Sequence, residues 1–194
     1  MANGSKIIEE TILDEGRYDF PSLDGTESET YKGIDRKWDY DWAGWVIIDL
    51  LKNSPGFPGI LESSIELQGL VHEFYRKLWE TIHGDQIPSQ VIAEKMYEMA
   101  LLEGPYMVKA LQRSLNLLNI NEMFYPDLKE DGVFGPVTLV SLMENLKNIS
   151  PRHLLRLLTI FQGMRFCEAC WKTKEKRRNM KGWLNRAFEY PELI

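Results

Sequence analysis

Apolar residues recur with a helical period along most of this chain, and that limits what it can fold into. Between Leu67 and Leu78 they fall at Leu67, Leu70, Val71, Phe74, Tyr75 and Leu78, one face of a 3.6-residue helix. The same spacing returns at Ile92, Met96, Met99 and Ala100, at Val108, Leu111, Leu115 and Leu118, at Val140, Met143 and Leu146, and at Leu154, Leu157, Leu158, Phe161 and Met164. Breakers separate these stretches: Asn53–Gly59, Gly84–Ser89, Gly104-Pro105 and the Asp131-Gly132 to Gly135-Pro136 turn. A mainly α fold follows.

The first helix is expected from Ser5 to Glu15. Ile7, Ile8, Thr11, Ile12 and Glu15 share one face of it, and Gly16 is suited to cap its C-terminus. Tyr18 to Ile34 is polar and turn-rich, and Asp24-Gly25 suggests a small β-hairpin there. Ala43 to Leu51 reads as a short helix. Pro105 and Pro136 stand where helices begin.

Charge is unevenly distributed. The net charge is −6, yet residues 1–66 hold 6 Lys/Arg against 14 Asp/Glu, and the stretch from Lys172 to Arg186 is basic. An acidic first third argues against nucleic acid as the substrate, because phosphate binding needs a broad basic surface. The basic stretch could attract an anionic polymer such as a cell wall. No apolar run is long enough to span a bilayer, and Met1–Glu10 lacks the pattern of a signal peptide. Cys167 and Cys170 lie in a helical pattern without a second Cys or His pair, so reduced thiols are expected rather than a zinc site. His72, His83 and His153 are scattered, and neither a metal nor a cofactor is expected.

Glu15, Asp24 and Thr30 carry the candidate chemistry. Eight residues separate the first two and five the second two. Glycoside hydrolysis needs a protonated carboxylic acid on the leaving oxygen; with inversion it also needs a carboxylate that activates water. Glu15, on an apolar helix face and in a last turn, is suited to be the acid, since burial and the helix dipole both disfavour its anion. Asp24 on a polar hairpin is suited to be the base, and Thr30 to hold the water. Glu27 and Glu29 are rivals to Asp24. In a regular strand they share a parity opposite to that of Thr30, which would turn them away from it.

These residues resemble the catalytic triad of phage-type lysozymes. Their surroundings resemble the glycoside hydrolase family 108 muramidases, also called secretion activators. Glu15-Gly16-Arg17-Tyr18 is similar to that family's Glu-Gly-Gly-Tyr, with Arg17 for the second glycine. Asp24 through Thr30, Gly33 and Ile34 is similar to its catalytic loop, without the paired glycines and proline. Phe74–Trp79, Gly84–Pro88, Ala110–Asn116, Asp131–Thr138 and Gly182–Arg186 resemble further motifs in the same order.

The resemblance implies a lysozyme-like (α+β) fold, with a catalytic region at 1–100 and a peptidoglycan-binding-like helical region at 101–194 packed with it. It implies an N-acetylmuramidase cleaving the β-1,4 bond between N-acetylmuramic acid and N-acetylglucosamine with inversion. The alternatives are a lytic transglycosylase and a non-catalytic wall-binding or secretion-related protein. Tyr18, Tyr31 and Gln112 are implied as substrate-binding residues, and Trp38, Trp42 and Trp45 could stack on sugar rings or pack in the core. Peptidoglycan is the implied partner. A monomer is expected, made in a bacterial or phage-host cytoplasm without a signal peptide and reaching the wall by release or through a holin-type partner.

Overall fold

The computed structural model describes residues 1–20 and 28–188. It is mainly α, with a small antiparallel sheet early in the chain, the lysozyme-like class that the sequence implies. Two compact units form. One comprises Gly4–Glu80, and the other Met1–Asn3 with Thr81–Ile194. The division falls before residue 100, because helix α4 (Gln90–Glu103) buries Ile92, Met96, Tyr97 and Met99 among the helices that follow it.

In the first unit, α1 (Ser5–Asp14) ends as its pattern predicts. Glu15 is its C-cap, with its N–H bonded to Thr11 O at 3.0 Å, and Gly16 follows at φ +82°. A left-handed residue after the last turn is the usual helix stop, and glycine adopts it without a Cβ clash. Ile8 and Ile12 are buried beneath this helix. Its start packs against α3 (Ile65–Thr81): a Cβ on Gly4 would lie 2.6 Å from the Trp79 ring.

The sheet comprises β1 (Tyr18–Asp19), β2 (Thr30–Tyr31) and β3 (Ile34–Asp35), in that order and antiparallel. Its tight turn is Lys32-Gly33, with φ +49° and +75°, both central residues left-handed as in a type I′ hairpin. The Asp24-Gly25 turn expected from sequence lies outside the described residues. Helix α2 (Gly44–Leu51) follows, burying Trp45 and Ile48 against the unit's core of Tyr31, Ile34, Leu61, Leu67, Val71 and Tyr75.

In the second unit, α4, α5 (Tyr106–Leu118) and α7 (Pro151–Lys172) pack together, with α6 (Pro136–Asn148) against α5 and α8 (Met180–Ala187) against α7. Helix α6 is rotated from the expected face. Val140 is 58% exposed, while Thr138, Ser141, Leu142 and Asn145 are buried. Hydrogen bonds decide this. Asn145 Nδ2 donates to Tyr125 Oη at 3.1 Å, and Thr138 Oγ1 accepts from Gln112 Nε2 at 3.3 Å. These bonds offset the cost of burying Thr138 and the Asn145 amide N–H in place of a valine, although Asn145 Oδ1 has no partner among the described residues.

Lys95 is wholly buried and ties three helices. Its ammonium donates to Gln162 Oε1 at 2.5 Å on α7, to Ala187 O at 3.0 Å on α8 and to Glu98 Oε2 at 3.2 Å. Glu103, at the end of α4, has both carboxyl oxygens buried without a well-formed hydrogen bond among the described residues, the Gln162 amide being its neighbour. Burial pushes its pKa up to about 8, against the opposing charges of Lys95 and Arg165. The folded state therefore holds a proton that the unfolded chain releases near pH 4.5. That contribution is complete below pH 4.5 and is lost as pH rises towards 8. Glu103→Gln is expected to leave the melting temperature near that of the wild type at pH 4. It should raise it by several degrees at pH 8. Thermal melts across this range check it, and equal shifts at both pH values would contradict it.

Candidate active site

Glu15 leaves the C-terminal end of α1 half-buried and lies against the Lys32-Gly33 turn. A Cβ on Gly33 would be 2.7 Å from Glu15 Oε2, 3.0 Å from Glu15 Cβ and 2.8 Å from Tyr75 Oη. The carboxyl group and the tyrosine hydroxyl thus converge on a backbone position that has no side chain. Tyr75, in the middle of α3, holds the turn there by donating to Lys32 O at 2.5 Å. Lys32 adds an ion pair to Glu62 at 2.9 Å. Three segments distant in sequence therefore meet at Glu15: the end of α1, the β2–β3 turn and α3, with the Gly59–Ser63 3-10 turn bound to Lys32 through Glu62. Glu15 and Gly33 both belong to the segments that the sequence singles out. Tyr75 as the anchor is not legible there: it falls in the apolar stripe of α3 and in the Phe74–Trp79 motif, and neither announces a bond to Lys32.

Thr30 is half-exposed on β2, opposite Asp19 on β1 and Asp35 on β3. Its neighbours Glu29 and Tyr31 are buried. Asp24 and Glu27 lie outside the described residues. Glu29 has a defined environment. Its oxygens accept from Tyr18 Oη at 2.9 Å, Arg36 Nη1 at 2.7 Å and Lys52 Nζ at 3.0 Å. Burial alone would raise its pKa, but the hydrogen bonds from Arg36, Lys52 and Tyr18 outweigh it and hold the carboxylate below its ordinary range. Asp49 shares the same cations and is lowered further, chiefly by its bonds to Arg36 and Lys52. A carboxylate so paired is a weak acceptor for a proton from water.

The three residues implied as substrate contacts are all occupied within the protein. Tyr31 is fully buried, bonded through its hydroxyl to Glu62 Oε1 at 3.2 Å and Gln68 Nε2 at 2.8 Å, and burial pushes its pKa up to about 12. Gln112 is 2% exposed. Its amide donates to Asp131 Oδ1 at 2.9 Å and accepts from the Gly132 N–H at 2.9 Å, so it clamps the Asp131–Val133 turn onto α5. Burial takes both side chains away from any substrate. Tyr18 is half-buried, bonded to Glu29 and set edge-on to the Phe57 ring at 4.8 Å. Of the three tryptophans, Trp45 is in the core with its indole N–H on Asp39 O, Trp42 is half-buried, and Trp38 is 74% exposed. Trp38 is the exposed one of the three, with the Lys37 ammonium over one face of its ring at 5.3 Å from the centroid.

Residues 106–188 match the family described as "Predicted Peptidoglycan domain", which relates this part of the chain to peptidoglycan. Among solved structures the chain is similar to that of Brucella abortus SagA. The TM-score is 0.58, the identity 19%, and the match covers 96% of this chain and 94% of the other. At that identity the likeness is one of fold. No curated protein matches the sequence.

Proposed function

We propose that this protein is a peptidoglycan hydrolase of the glycoside hydrolase family 108 kind, an N-acetylmuramidase in which Glu15 is the general acid. The observation that carries the reading is the convergence of the Glu15 carboxyl and the Tyr75 hydroxyl on the side-chain-free Gly33 turn. A carboxyl group fixed there, at the C-terminal end of a helix, sits where negative charge is disfavoured. Such a group is suited to deliver a proton to a glycosidic oxygen. The relation of residues 106–188 to peptidoglycan supports the substrate class.

Asp24 is the general base in this reading. Glu29 is less suited to the role, because Arg36, Lys52 and Tyr18 already engage its oxygens. Thr30 positions the attacking water, and Trp38 is available to stack on a sugar ring. Inversion requires the Glu15 and Asp24 carboxyls to stand about 6.5–9.5 Å apart, with a water between them.

Digestion of purified peptidoglycan, with product ends identified by mass spectrometry, tests the function. Reducing N-acetylmuramic acid ends are expected. Anhydro-muramic ends would make it a lytic transglycosylase, and intact glycan would make it a non-catalytic wall protein. Asp24→Ala is expected to lower the rate at least about 10²-fold, whereas full activity in that variant would remove Asp24 from the mechanism.

A further inference from the structure

Helix α7 has two apolar faces, and a packed helix in a small unit needs only one. Leu154, Leu155, Leu158, Phe166 and Cys170 are buried. On the other side Ile160, Met164 and Trp171 are 54%, 53% and 75% exposed, with half-buried Leu157 and Cys167 between them in the same row. At the end of this row the charge changes. Seven Lys/Arg and one carboxylate lie between Lys172 and Arg186, in a chain whose net charge is −6. Residues Lys174–Asn179 form an exposed 3-10 turn, tied to α7 by Arg177 Nε donating to Cys170 O at 3.4 Å. A run of positive charge in an acidic protein thus lies beside an exposed apolar row.

The geometry points to a peripheral docking surface for an anionic phospholipid bilayer, made of the outer row of α7 and the cations of residues 172–181. Charge complementarity selects the partner. Anionic headgroups attract the cations, Trp171 has the amphipathic ring that settles at the headgroup level, and Ile160 and Met164 enter the acyl boundary. Ile160 and Met164, unlike Trp171, have no flat face for a sugar, and their place in the row favours a bilayer over a glycan. No helix of the described residues is long and apolar enough to cross a membrane, so the contact is with its surface. The surface lies in the unit that does not hold Glu15, and the inference is independent of the hydrolase reading.

Cosedimentation of the full chain with vesicles tests this, using phosphatidylglycerol mixed into phosphatidylcholine against phosphatidylcholine alone. Binding is expected only with phosphatidylglycerol, and it should be released by salt. Replacing Lys172, Lys174 and Lys176 together by Gln should weaken partitioning on the order of 100-fold, about fivefold per cation. Trp171→Ala should weaken it with the cations intact. Unchanged melting temperatures in both variants, and unchanged rates on peptidoglycan if the wild type has any, separate loss of docking from misfolding. Equal binding to neutral vesicles, or none to either, would overturn the proposal. Two further results would do so: a dimer that Trp171→Ala converts to monomer without vesicle binding, or retention on insoluble wall polymer alone.

Discussion

Glu15→Gln is expected to abolish peptidoglycan cleavage while leaving the fold intact. The amide has the size and shape of the carboxyl group, so it can rest against Gly33 and Tyr75 as Glu15 does. It has no acidic proton to give to the leaving oxygen. Loss of a positioned general acid costs at least about 10²–10⁴ in rate. Because Glu15 is a C-cap bonded through its own backbone N–H to Thr11, the substitution does not touch the helix end, and the melting temperature should move little. Zymography with wall material, together with a thermal melt, measures both. A variant that clears the substrate at nearly the wild-type rate would remove Glu15 from the chemistry.

Gly33→Ala is expected to cost nearly as much activity by geometry alone. The new methyl would lie 2.7 Å from the Glu15 carboxylate and 2.8 Å from the Tyr75 hydroxyl, closer than carbon atoms approach such groups, so one of them must shift. Tyr75 donates to Lys32 O, and Glu15 meets the new methyl through both Oε2 and Cβ, so a shift of either group displaces the Glu15 carboxyl from its place on the turn. A misplacement of about 1 Å in a reacting group is worth about 10² in rate. A left-handed residue with a Cβ adds about 1–2 kcal/mol of strain. Gly56, at φ +88° with nothing within 4 Å of its Cβ position, supplies the control. Gly56→Ala carries the same backbone strain without the clash, so it should lose stability and keep its activity. If Gly33→Ala and Gly56→Ala lose activity to the same small extent, the packing of Glu15 on the turn does not govern the reaction.

Sequence by itself determined the elements whose cause is local. Helical spacing located α3, α5 and α7, Gly16 stopped α1, Pro136 opened α6, and the position of Glu15 at the end of an apolar helix face was legible from Ile8 and Ile12. Each depends on neighbours within a turn or two, where backbone sterics and side-chain period act. What surrounds Glu15 was decided by contacts across long separations. The Lys32-Gly33 turn is held by a tyrosine 43 residues away, and nothing in its own dipeptide announces that partner. Gln112, Tyr31 and Glu29 are polar in sequence and buried in structure, because Asp131 and Gly132, Glu62 and Gln68, and Arg36 with Lys52 supply their hydrogen bonds. The face that α6 buries was chosen in the same way, by Thr138 and Asn145 finding partners rather than by its valines. A residue's pattern declares what it prefers. Whether a polar group faces substrate or the interior depends on whether the fold brings it a partner, since an unpaired buried polar group is costly and a paired one is not.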